Sequence, residues 1–223
     1  MANDAWLVVL GWAMLAAGGA TALAIAGDLY THPQRMSIMN IVWPVTGLYL
    51  PIAGWWLYRG IGRPMSVGEP TPVRRPYWIR VFVSATHCGA GCTIGDIIGI
   101  PIAAGFGWTL FGHRLFTDYI VEFGFAYVIG IAFQYLPIRT ARQVSSREAI
   151  VDAVRADTLS LSAFEVGMFA WMALVFYVLL PAHPPEPSSV VFWLMMQVGM
   201  ALGFLTTYPA NWLLIRAGIK AGM

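Results

Sequence analysis

The stretch Ser84-Ala85-Thr86-His87-Cys88-Gly89-Ala90-Gly91-Cys92-Thr93-Ile94-Gly95-Asp96 holds the only two cysteines of the chain, inside an apolar run from Tyr77 past Pro101. On an α-helix, residues four apart share a face, so Ser84, Cys88, Cys92 and Asp96 stand in file, with His87 beside them. The adjacent row, His87, Gly91, Gly95 and Gly99, is a small-residue ridge against which another helix can press closely. Docking of a second copy through Gly91, Gly95 and Gly99 is one expectation from it. Thiols spaced i, i+4 on a straight helix are badly aimed for a disulfide. They read as buried free thiols or as thiolates flanking a metal ion.

Composition sets the class. Of 223 residues 58% are hydrophobic and 11% charged, with a mean hydropathy of +0.67, which describes an all-α integral membrane protein and excludes a basic nucleic-acid binder. Windows of about 20 apolar residues give six spans in a single domain, 1–223: Trp6–Gly27, Ile38–Tyr58, Tyr77–Trp108, Phe116–Ile138, Leu161–Leu180 and Ser189–Ile215. The first lacks the basic start of a cleaved signal peptide. Pro44 and Pro51 predict a kink in the second. Residues 59–76 read as a cytoplasmic loop, and 139–160 as a cytoplasmic amphipathic segment on the inner membrane surface.

Six spans put Arg59, Arg63, Arg74, Arg75, Arg80, Arg139, Arg142, Arg147, Arg155, Arg216 and Lys220 on one side and Arg35 and Arg114 on the other, 11 against 2 of the 13 basic residues. By the positive-inside rule both termini are then cytoplasmic, in a multi-pass protein of a bacterial inner membrane.

Asp28 and His32 lie four apart at the end of the first span, followed by Met36 and Met39. Asp118 and Glu122 open the fourth span, and Glu165, Met168 and Met172 share one side of the fifth. Carboxylates inside a bilayer cost about 2.5–3.5 kcal/mol each at the centre and mark ion paths or metal sites more often than structural pairs. The expected metal ligands are therefore His87, Cys88, Cys92, Asp96, Asp28 and His32. An ion path runs by Met36, Met39, Asp118, Glu122, Glu165, Met168 and Met172. Asp96 is expected to approach Asp28, and the phrases around them, Ile25 to Pro33 and Ile94 to Pro101, suggest a parallel internal repeat.

The phrases Met39-Asn40-Ile41-Val42-Trp43-Pro44, His87-Cys88-Gly89-Ala90-Gly91-Cys92, Ala156-Asp157-Thr158-Leu159-Ser160 and Tyr208-Pro209-Ala210-Asn211-Trp212 resemble a bacterial membrane family known as a domain of unknown function. The resemblance runs from about His32 onward. It implies no established activity or catalytic residue, and it ties such domains loosely to copper-protein contexts. There is also a partial likeness to intramembrane zinc hydrolases, through Ser84, His87, Asp96 and His32. His113 and His183 fall in outer loops, and the later HxxxH pair of that family is missing.

Two functions follow as expectations. One is a transporter or metal-binding protein for a soft ion held at mid-membrane, Cu(I) or zinc, because thiolate, thioether and imidazole favour soft metals. The other is an intramembrane zinc hydrolase or, less favoured by the helical CxxxC spacing, a thiol oxidoreductase. The partners are the bilayer and the ion.

Overall fold

The computed structural model describes residues 5–64, 75–107, 109–110, 112 and 114–222. Of the residues discussed above, Arg74 in the expected 59–76 loop, Trp108 and His113 lie outside the described ones. Helices α1 (Ala5–Thr31), α4 (Tyr77–Phe106), α5 (Arg114–Arg142), α6 (Ser146–Leu174, extended by a π turn over Val175–Leu179) and α7 (Val190–Arg216) are long and apolar enough to cross a membrane. Their exposed faces carry Val9, Leu23, Ile120, Val128, Val166 and Leu205, while Asp96, Asp157, Glu165 and Asn211 are buried. Apolar outside and polar inside is the arrangement a bilayer selects, and this is a multi-pass membrane protein.

The helix directions follow from the contacts. α4 and α5 run antiparallel, with Gly91 against Gly130, Gly95 against Ala126 and Gly99 against Glu122. α1 and α7 run parallel, because Gly11 meets Val190 while Gln197 Nε2 donates to Leu48 O (2.7 Å) beside Gly18. Tyr77 Oη donates to Trp212 O at 2.7 Å, so the start of α4 lies beside the end of α7. One end of the bundle, the first end, thus gathers the starts of α1, α5 and α7. The second end gathers their ends together with the starts of α4 and α6. α1 and α4 run in opposite senses, so the two Gly-Asp phrases are not a parallel repeat.

The second expected span is the main correction. It forms α2 (Met39–Tyr49) and α3 (Ala53–Leu57, continued by a π turn over Tyr58–Gly62), and the two fold back on each other. Pro51 has no N–H to continue α2, and Leu50 before it leaves the helical region, as residues preceding proline do. Ile52 then takes φ +63°, a costly conformation for a β-branched side chain, held by its N–H donating to Thr21 Oγ1 at 3.0 Å. On the return, Gly54 packs on Gly47, the Tyr58 ring meets Trp43 edge-on at 5.7 Å, and Gly62 lies flat on Trp43. Eleven residues of α2 reach about 16 Å, roughly half a hydrocarbon core. Among the described residues five helices are thus long and apolar enough to cross a membrane, and the expected second span is a folded-back hairpin.

The 139–160 stretch is not an element of its own. It is the end of α5, a turn capped by Ser145 Oγ accepting from Glu148 N (3.3 Å), and the first half of α6. Ala149, Ala153 and Ala156 recur at helical spacing and are buried, so α6 packs from its first turns.

Candidate functional site

Cys88 and Cys92 are free and fully buried, within hydrogen-bonding reach of each other. α4 places them on one face, as the spacing predicts. The half-depth hairpin brings a group that the sequence did not suggest. Tyr49, at the tip of α2, is buried with its hydroxyl unpartnered, and it passes over Gly89, where a Cβ would sit 2.9 Å from the phenol oxygen. Thr207 Oγ1 lies 3.9 Å from Cys88 Sγ on the other flank. Met168 and Met172 belong to the same buried cluster as both thiols.

Towards the first end the thiols give way to acids. Asp96, Glu122 and Glu165 are buried and interact with one another electrostatically, and Glu165 faces Cys92. Among the described residues neither oxygen of Asp96 has a hydrogen-bond partner. Asp118 continues the series one helical turn before Glu122. Among the described residues the charges that reach Asp96 are those of Glu165 and Glu122, so a cation or a proton would offset its burial.

Towards the second end lies a different set. Lys220 Nζ pairs with Asp157 Oδ1, both fully buried, and sits 3.4 Å from Ser160 Oγ. Ser160 Oγ donates to Asp157 Oδ1 at 3.0 Å, Thr207 Oγ1 donates to Ser160 O at 2.6 Å, and Asn211 Nδ2 donates to Thr207 O at 3.0 Å. His87 belongs here, within charge range of Asp157 and Lys220. The three phrases His87–Cys92, Ala156–Ser160 and Tyr208–Trp212 therefore converge on one polar interior. Asp157, Ser160 and Lys220 were missed as site residues. The signal in the sequence is the charged or polar residue within each phrase, while Lys220 counts there only towards the basic majority.

The remaining expected ligands are employed elsewhere. Arg63 Nε and Nη2 each donate to Asp28 at 2.9 Å in a forked pair, Tyr58 Oη donates to it at 2.7 Å, and His32 Nδ1 lies 3.6 Å from Asp28 Oδ1. The hydrogen bond to Asp28 raises the pKa of Arg63 further, so the pair stays charged. With Gln34 Nε2 donating to Gly62 O (2.8 Å), this clasp fixes the return of the hairpin to the end of α1. Asp28 does not meet Asp96, whose charge partners are Glu165 and Glu122. Met39 is buried with Ile25 and Val42, and Met36 is exposed. The glycine ridge of α4 is covered by α5 of the same chain, so it is not free for a second copy. Among the described residues no three of His, Cys, Asp or Glu are drawn together tightly enough to enclose an ion.

Residues 77–220 match the model of a family described as a domain of unknown function, DUF4396. The chain belongs to this family. The matched part holds α4 to α7 and ends at Lys220, whereas α1, the hairpin and the phrase Met39–Pro44 precede it. No curated protein and no solved structure matches the chain.

Proposed function

We propose that this DUF4396 protein is a transporter in a bacterial cytoplasmic membrane that carries a soft metal ion, Cu(I) ahead of zinc, past Cys88 and Cys92. The observation that carries the reading is the pair of free, buried thiols standing where the acid set and the second-end polar set meet. Zinc wants four ligands, or three and a water, and the described residues do not gather them. Cu(I) is satisfied by two thiolates, which two cysteines in mutual reach supply. The same lack of a third ligand argues against a zinc hydrolase. Asp96 and Glu165 would hand the ion along, their charges neutralised as it passes. Their replacement by Asn and Gln should leave Cu(I) affinity in place while slowing Cu(I) uptake into proteoliposomes. Unchanged uptake in both variants removes the acids from the path.

The proposed topology has five crossings, with the second end cytoplasmic. Arg35, Arg59, Arg63, Arg75, Arg80, Arg139, Arg142, Arg147, Arg155, Arg216 and Lys220 gather there, and α5 opens at the first end with Arg114. Arg35 thereby joins the majority, which sharpens the positive-inside bias and puts the start of α1 outside. The test is thiol labelling of intact cells with an impermeant maleimide. Ser188→Cys should label, and Ser37→Cys should label only after lysis, since the native thiols are buried. Labelling of Ser37→Cys from outside would restore six crossings.

A further inference from the structure

We infer that Asp157, Ser160 and Asn211 form a cation-binding cradle, which the side-chain ammonium of Lys220, just past α7, occupies as a tethered plug. α7 ends at Arg216, and Gly218 at φ +72° reverses the backbone so that Ile219 N and Lys220 N both donate to Leu214 O, at 3.0 and 3.2 Å. That turn threads a side chain from beyond the helix back into the bundle. The residue it delivers is fully buried, although lysine is almost never so unless paired.

The cradle holds more acceptors than Lys220 uses. Among the described residues Asp157 Oδ2 and Asn211 Oδ1 are both buried and have no partner, and His87 lies within charge range of Asp157. A lysine brought in only to staple the tail would meet the needs of its carboxylate. Here the ammonium meets one oxygen of an acid and a hydroxyl, while the second carboxylate oxygen and the amide oxygen of Asn211, linked to Ser160 through Thr207, stay open to a cation. A small monovalent cation, or the ammonium of a primary amine, has the charge and size to take the place of Nζ. Because the tail is tethered, its effective concentration is of millimolar order or higher, and free cations compete poorly while it is docked. Withdrawal of the tail would open the site to the cytoplasmic side.

The inference does not depend on the metal reading, and its test does not measure transport. Lys220→Met vacates the cradle and leaves the buried Asp157 charge uncompensated, so the full-length variant should melt below the parent. Methylammonium chloride should raise its melting temperature by several degrees in a saturable way. Choline chloride at equal ionic strength is too bulky and should not. The double variant Asp157→Asn, Lys220→Met and the parent should both be indifferent to methylammonium. If Lys220→Met responds no differently from the double variant, Lys220 is a staple and the cradle is withdrawn. Should Lys220→Met fail to accumulate, it is produced and solubilised in methylammonium. Recovery supports the site, and failure there while the double variant purifies overturns it.

Discussion

The double variant Cys88→Ser, Cys92→Ser is expected to lose Cu(I) binding by well over about 100-fold, the upper cost of removing even an outer-shell partner at a metal site. Hydroxyl oxygen is a poor ligand for a soft ion, and the surrounding Tyr49, Thr207 and Glu165 offer only oxygen in return. The fold should survive. Serine is slightly smaller than cysteine, and a hydroxyl at position 88 finds Thr207 Oγ1 on one flank. Met168 and Met172 remain as thioethers in the cluster, so Met168→Leu in the serine background separates residual thioether binding from none. Uptake of Cu(I) by the parent should also release protons, because a thiol gives up its proton when it ligates a metal ion. The measurement is an anaerobic competition titration against a Cu(I) chelator. Parent-like affinity in the double serine protein would reduce the thiol pair to packing.

The second large effect concerns Gly95. A Cβ at that position would overlap the backbone of Ala126, and no side-chain rearrangement can move a backbone aside. Gly95→Val should therefore separate α4 from α5 and abolish a folded, monodisperse protein, a loss above about 3 kcal/mol. Gly91 and Gly99 are nearly as tight, with a Cβ 2.9 Å from Gly130 Cα and 3.1 Å from Glu122 Cα. Gly27 is the contrast, since nothing lies within 4 Å of its Cβ position, and Gly27→Ala should gain about 0.5–1 kcal/mol from helix propensity alone. Thermal melts and size-exclusion profiles of the two variants decide between a packed ridge and an incidental run of glycines. Equal behaviour would mean that the ridge does not hold α4 to α5.

The five long helices were legible because a membrane span announces itself through length and apolarity alone, and the glycine row of α4 was correctly marked as a place of close approach. Which helix approaches was not legible, since a ridge looks the same to a neighbour in the chain and to another copy. The hairpin escaped for a related reason. Ile38 to Tyr58 has the apolarity of a crossing, and hydropathy does not register direction. The deciding features are local: Pro51, the strained Ile52, and Gly47, Gly54 and Gly62, whose bare backbones let the returning strand of the hairpin lie against its outgoing partner. Taking that segment as a full crossing separates Asp28 and His32 from Arg63 by a membrane, which hides the pair that the hairpin brings together.

The family match begins at Tyr77, so α1 and the hairpin both precede the matched part, which holds α4 to α7. Its geometry has a bearing on how such a chain varies. A full crossing added or lost ahead of the core would invert every helix after it and turn the basic face of the protein inside out. A segment that enters and leaves on one side contributes an even count, namely zero, to the parity of crossings. Residues between Thr31 and Tyr77 can thus lengthen, shrink or vanish through evolution while α4 to α7 keep their orientation, and the polar interior keeps its polarity across the membrane.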